Sequence, residues 1–176
     1  IYTSSTQNVD GTIKSLCFES GLELDVDLVI DCSGFKKLII GDVFKTKWIS
    51  YQDNLPVNRA MPFFLDIKEE NYINYTLAWA QKYGWMWQIP TQERIGAGYV
   101  YCDQFISPDQ AQEEIEKVLG HKIEPRRDIK FNSGRLEKYW VKNCLAIGLS
   151  SGFLEPLEAT SIHSTLIQII LFATEY

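Results

Sequence analysis

A chain of 176 residues, 45% hydrophobic and 23% charged, is long enough to bury the core of one compact domain. Its formal net charge is −6 and no run of Lys or Arg exceeds two, which excludes the basic face that nucleic-acid binding requires. No stretch reaches the roughly 20 apolar residues that span a bilayer.

In chain order, residues 2–11 are polar and lead into a strand expected over 12–19, where Ile13, Leu16 and Phe18 alternate with polar residues. Ser20-Gly21 turns it. Leu28-Val29-Ile30 is a short continuous apolar run, the pattern of a strand buried on both faces in a parallel sheet. It ends at Asp31-Cys32-Ser33-Gly34, and ligands in such sheets sit beyond the carboxyl ends of the strands. The Ser33-Gly34 turn is therefore a candidate cofactor position. Residues 61–67, 75–80, 85–89 and 94–101 read as four successive strands of an antiparallel meander, with Gly84 and Thr91-Gln92 near its turns.

Ser107 opens a helix as N-cap, with Pro108 at the first helical position and Gln110 completing a capping box. Ala111, Ile115, Val118 and Leu119 form its apolar stripe, Glu113, Glu114 and Lys117 its wet face, and Gly120 its stop. Residues 129–136 and 144–147 return to strand character, and a loop over 148–158 precedes a last helix from about Ser161. That helix runs to Tyr176 without a terminating Gly or Pro, so both ends of the chain read as cut.

Cys17, Cys32, Cys102 and Cys144 are scattered, with no C-x-x-C pair and only His121 and His163 to assist them, which speaks against a metal centre. Unpatterned cysteines fit buried thiols in a reducing cytoplasm.

Two segments carry chemistry. In Gly84-Trp85-Met86-Trp87-Gln88-Ile89-Pro90, strand alternation puts the two indoles side by side, with Met86 and Gln88 on the reverse. They form either a buried aromatic face or a bulky wall that keeps one ligand from another. In Gly152-Phe153-Leu154-Glu155-Pro156-Leu157-Glu158-Ala159-Thr160-Ser161-Ile162, Pro156 stiffens the loop and Thr160 or Ser161 can cap the following helix. Unpaired amides at a helix start attract anions, so Glu158 stands beside a candidate anion nest. A plain capping acid accounts for Glu155 or Glu158 equally well.

The W-x-W-x-I-P pattern of Trp85–Pro90 resembles the element that distinguishes flavin-dependent halogenases from flavin monooxygenases of similar fold. Phe153–Ile162 is similar to the F-x-E-P-L-E-[SA]-T-x-I stretch of the tryptophan-halogenase type, Asp27–Phe35 to a D-L-V-I-D-C-S-G-F-like block, and Leu55-Pro56 with Arg59-Ala60 to an L-P-x-x-R-A region. Four blocks in family order cover most of the chain from Asp27 to Ile170.

The resemblance implies an α/β fold, the FAD-binding, Rossmann-like three-layer fold of the flavin monooxygenase type with an antiparallel substrate-side sheet, here incomplete. Residues 1–50 and 140–176 would form the flavin-binding part of one partial domain, and residues 51–139 the sheet and helix on the substrate side. It implies FAD in reduced form from a separate flavin reductase and a halide ion as co-substrate. A flavin hydroperoxide would oxidise the halide to hypohalous acid, which halogenates an electron-rich aromatic such as tryptophan or indole. By position, Glu158 matches the catalytic carboxylate, and Thr160 and Ser161 the halide-binding amides. Trp85, Trp87, Ile89 and Pro90 match the separator between substrate and flavin, and Gly34, Gly148, Pro156 and Leu157 would lie against the cofactor. A cytoplasmic enzyme is implied, and a homodimer is compatible with it.

Ala159-Thr160-Ser161 departs from the Ser-Thr-Gly common in the family. The family's G-x-G-x-x-G fingerprint and catalytic lysine lie upstream of these residues, and Gly96-Ala97-Gly98, within a strand pattern, is no substitute. These 176 residues alone are expected to be inactive. The alternatives are a flavin-dependent aromatic hydroxylase, against which Gly148-Leu149-Ser150 replaces the usual Gly-Asp, and a non-catalytic module binding an aromatic ligand or a protein.

Overall fold

The computed structural model describes residues 1–67, 73–154, 157 and 160–176. The chain divides into two compact units: one built from Ile1–Ser50, Gly134–Leu154 and the last helix, the other from Tyr51–Ser133 with Leu157.

In the first unit, β1 (Tyr2–Gln7), β2 (Ile13–Phe18) and β3 (Glu23–Asp25) form an antiparallel sheet in that order. The stretch expected as a polar lead-in is thus a strand. Its Thr and Ser side chains suit an exposed pleat, and they bond across it: Thr3 Oγ1 donates to the Cys17 carbonyl at 3.0 Å, and the Thr6 and Ser15 hydroxyls lie 2.6 Å apart. β4 (Val29–Asp31) is followed by β5 (Trp48–Ser50). After the second unit come β11 (Gly134–Leu136), β12 (Trp140–Val141), β13 (Cys144–Ala146) and β14 (Gly152–Phe153). β4 pairs in parallel with β13, as its apolar run predicts, and β12 flanks β13 antiparallel. Only one face of β4 is covered: Val29 and Asp31 are buried, while Ile30 is 43% exposed. Ile13, Val29, Ile39, Ile40, Leu136, Cys144 and Ala146 form the core of this unit.

The closing helix spans Thr160–Glu175, and none of its residues is buried. Ile162, Leu166, Ile169, Ile170 and Leu171 are all exposed on it. A helix this apolar around most of its circumference has the composition of an interior helix. Among the described residues no helix is long and apolar enough to cross a membrane.

The second unit is a five-stranded antiparallel sheet. Its strands are β6 (Arg59–Leu65), β7 (Leu77–Gln81), β8 (Gly84–Pro90), β9 (Ile95–Tyr101) and β10 (Ile129–Lys130). The spatial order is β10-β6-β9-β8-β7, so the expected meander holds for β7, β8 and β9 only. β6 instead lies on the far side of β9, where Met61 and Phe63 join the apolar face that Tyr99 and Ala97 already present.

Helix α1 (Pro108–Leu119) packs on that face through Ala111 and Ile115. Its capping box is complete: Ser107 Oγ accepts from the Gln110 amide at 3.3 Å and Gln110 Oε1 from the Ser107 amide at 3.2 Å. Gly120 ends it. The stripe differs at two positions, because Val118 is exposed while Glu116 is buried. Glu116 is tolerated because Lys122 Nζ lies 2.6 Å away and Gln112 and the Ile123 amide donate to it, holding its carboxyl down at about 2.

All four cysteines are free. Cys102 and Cys144 are buried, but Cys32, expected as a buried thiol, is exposed, since alternation along the chain turns it away from the inward-facing Asp31. Burial, and then the Asp31 charge, push the Cys144 thiol up to about 12, so it behaves as an inert apolar group.

Candidate functional site

Strand β8 lies between β7 and β9. The register sets Trp85 between Ala80 and Val100, and Trp87 between Ala78 and Gly98, all on one face. Met86, one residue out of phase, is completely buried on the opposite face, and that anchors the strand and fixes which way both indoles point. The Trp85 and Trp87 ring centroids are 6.0 Å apart, with the planes tilted by 56°. Beside them opens a cleft of about 160 Å³ lined by Thr76, Ala78, Trp85, Trp87, Ile89 and Leu157. None of these side chains ionises, and the hydrogen-bonding side-chain groups among them are the Thr76 hydroxyl and the indole N–H groups of Trp85 and Trp87. Such a lining suits a flat, uncharged ring. Pro90 ends β8 opposite Ile95 and is not among the lining residues.

A second constellation lies within the first unit, at the carboxyl ends of the parallel pair β4 and β13. Asp31 is 3% exposed and densely bonded. Its Oδ1 accepts from the Ser33 amide at 2.9 Å, the Ser33 hydroxyl at 2.6 Å and the Ser150 hydroxyl at 3.4 Å. Its Oδ2 accepts from the amides of Ile39 and Ile40, both at 2.9 Å. Burial by itself would raise its pKa, but the Ser33 hydroxyl and the amides of Ile40, Ser33 and Ile39 together outweigh burial and hold the carboxyl below its ordinary value. Ser150 Oγ in turn accepts from the Gly34 amide at 2.8 Å, tying the Ser33-Gly34 turn to the loop after β13. One buried carboxylate thus organises both loops.

Gly34 and Gly148 both sit at φ 69°, a left-handed conformation that Gly adopts without strain. A side chain on Gly34 would project into open space, so the turn leaves a bare backbone surface there. Phe35, 43% exposed, stands edge-on to Phe153 with centroids 5.4 Å apart, and Leu149 and Leu154 are exposed in the same unit. Bare backbone beside exposed apolar side chains fits a planar isoalloxazine ring. The loop is also held from the last helix, since Gln168 Oε1 accepts from the Gly148 amide at 3.1 Å and Gln168 Nε2 donates to Ser151 Oγ at 2.9 Å.

We designate the last helix α2 (Thr160–Glu175). Thr160 and Ser161 are its first two residues, and their amides belong to the opening turn, which has no intrahelical acceptors. Thr165 Oγ1 donates to the Ser161 carbonyl at 2.7 Å. Glu158 and Pro156 lie outside the described residues. Leu157, adjacent in sequence to both, lines the cleft with Trp85, Trp87 and Ile89.

Sequence reading missed Asp31, Ser150 and Gln168 as organisers of the loops, and Thr76, Ala78 and Gly98 as neighbours of the indoles. Asp31 carried a signal, a carboxylate closing a buried strand just before Ser-Gly. The small residues beside Trp87 carried none, because strand register is not visible in a single sequence. Among the described residues no group of His, Cys, Asp and Glu could hold a metal ion.

A family model described as tryptophan halogenase matches residues 1–173. Tryptophan 6-halogenase SttH of Streptomyces toxytricini is 38% identical over 167 residues, which are 91% of this chain and 32% of that protein. Tryptophan 7-halogenase KtzQ of Kutzneria sp. (strain 744) is 36% identical over 169 residues, 93% of this chain and 31% of that protein. The crystal structure of SttH matches with a TM-score of 0.93 at 33% identity, over 100% of this chain and 35% of that one. BrvH, a flavin-dependent halogenase from Brevundimonas sp. BAL3, matches with a TM-score of 0.89 at 38% identity, over 98% of this chain and 36% of that one. The chain spans about a third of the length of these relatives. It has the mixed α/β fold, with several sheets, of the flavin-dependent halogenases. The chain belongs to the tryptophan halogenase family.

Proposed function

We propose that the protein containing this chain halogenates an electron-rich aromatic compound, tryptophan, an indole or a similar arene, using FAD. The observation that carries the reading is the neutral cleft walled by Trp85, Trp87, Ile89 and Leu157 in a chain of this family. When bound, reduced flavin with oxygen supplies the oxidising equivalent that converts halide to hypohalous acid; the protein supplies position and exclusion. A separate flavin reductase provides the reduced cofactor, in the cytoplasm.

The chain's own residues divide the work. Gly34 and the loop at Gly148 offer bare backbone to the flavin, and the Asp31 knot holds both. The opening amides of α2, at Thr160 and Ser161, hold the halide at the positive end of the helix. Trp85 and Trp87 wall the arene into the cleft and would exclude it from direct contact with the cofactor, leaving hypohalous acid to reach the ring. In the substitution a ring carbon gains halogen and loses a proton, and Glu158 takes that proton on its carboxylate.

The test is turnover of the full-length protein with FAD, a flavin reductase and an indole substrate, in chloride, in bromide and without halide. The reading requires a product whose mass and isotope pattern follow the halide supplied. An oxygenated product formed regardless of halide would make the enzyme a hydroxylase.

A further inference from the structure

Trp87 lies between two residues that lack bulk, Ala78 on β7 and Gly98 on β9. The indole leans to the Gly98 side. A Cβ built on Gly98 would fall on the benzenoid edge of the ring, at Cη2, Cζ2 and Cζ3 of Trp87. Gly98 is itself buried, so the ring edge cannot slide deeper into the sheet. The neighbouring glycine behaves differently. Gly96 occupies the same face of β9, opposite Ile89, and a Cβ there would meet nothing nearer than the Ile89 carbonyl oxygen at 3.8 Å, an ordinary contact.

We propose that Gly98 is a specificity-determining residue: the missing side chain is the slot into which the Trp87 indole folds, and this keeps the ring out of the cleft above Ala78 and Thr76. The proposal rests on the reading of that cleft as the arene's place. With any side chain at position 98 the indole must leave β9, and the room on that face is the cleft itself, about 160 Å³. Trp87 then changes from the wall of the site to its occupant. Gly98 touches no reacting atom and acts through Trp87, as a positioning residue.

The experiment compares Gly98→Ala with Gly96→Ala in the full-length enzyme, beside Trp87→Leu and the double variant Gly98→Ala/Trp87→Leu. The first readout involves no turnover: circular dichroism of the coupled indoles and thermal stability. Gly98→Ala is expected to change the Trp couplet, and Gly96→Ala to leave it as in the parent. In the Trp87→Leu background, which lacks the benzenoid edge, Gly98→Ala should cost much less stability than in the parent. The second readout is steady-state kinetics. Gly98→Ala should raise the arene's KM by ~10-fold or more with the halide's KM unchanged, and Gly96→Ala should stay within about twofold. If Gly98→Ala accumulates too little folded protein, the double variant decides, because it must recover folding. Equal loss of stability in both backgrounds, an unchanged couplet, or equal effects of the two alanines would overturn the proposal. Absence of halogenated product from the parent enzyme would instead strike the functional reading and leave the spectroscopic and stability comparison intact.

Discussion

Trp85 and Trp87 stand two residues apart on β8, and their indole centroids are 6.0 Å apart because Met86 between them is driven fully into the opposite core. The wall beside the cleft therefore inherits its rigidity from the packing behind it. Trp87→Ala should lower kcat/KM for the arene ~10- to 100-fold in the full-length enzyme by loosening its placement. Gln88→Ala, on the reverse face, should change it less than about twofold, within the range of ordinary substitutions away from a site. Steady-state kinetics on the two variants checks the contrast.

Asp31→Asn keeps the shape of the buried side chain but offers N–H groups where Oδ2 now accepts from Ile39 and Ile40, or reverses the pattern at Oδ1. Each amide left unpaired costs ~1–3 kcal/mol, so the variant should unfold at a lower denaturant midpoint and bind FAD more weakly. Equilibrium unfolding and FAD titration measure both.

The same carboxylate gives a pH dependence of defined sign. Its folded-state pKa lies below the unfolded value of ~3.9. Its contribution to stability is therefore complete above that unfolded value and is lost as pH falls through the lower folded one. Unfolding midpoints measured across this acid window should fall more steeply in the parent than in Asp31→Asn.

Ser107→Ala removes the hydroxyl that accepts from the Gln110 amide and breaks the capping box of α1. A loss of ~1 kcal/mol is expected, with kcat and KM unchanged, because α1 packs on the face of the sheet opposite the indoles. Chemical denaturation beside kinetics tests it.

The apolar side chains of α2 predict the behaviour of the 176 residues expressed alone. With Ile162, Leu166, Ile169, Ile170 and Leu171 all exposed, the isolated chain should bind a hydrophobic dye and unfold with low cooperativity. Ile170→Lys should reduce dye binding by the isolated chain. A sharp two-state transition without dye binding would contradict this.

Much of this architecture was legible in residue order. The capping box at Ser107, the parallel strand at Val29 and the paired indoles all follow from local signals of one or two turns or a few pleats. The misplaced pieces depend on partners distant in sequence. β6 pairs with β9 across 30 or more residues, and nothing in Met61–Leu65 announces which neighbour it chooses. β1 has only a weak apolar pattern; it is held to β2 by the antiparallel backbone ladder, by the Thr6–Ser15 hydroxyl pair and by the Thr3 hydroxyl donating to the Cys17 carbonyl. The Trp cleft was half visible: Trp85, Trp87 and Ile89 were written in one strand, whereas Thr76, Ala78 and Gly98 join them only through register.

A crystal structure of the full-length protein with FAD and the arene bound tests the central claim most directly. The account predicts the aromatic ring of the substrate in the cleft against Trp85, Trp87 and Leu157, with the flavin at the Gly34 turn and out of contact with the substrate. A substrate ring resting directly on the flavin, or bound away from both tryptophans, would contradict it.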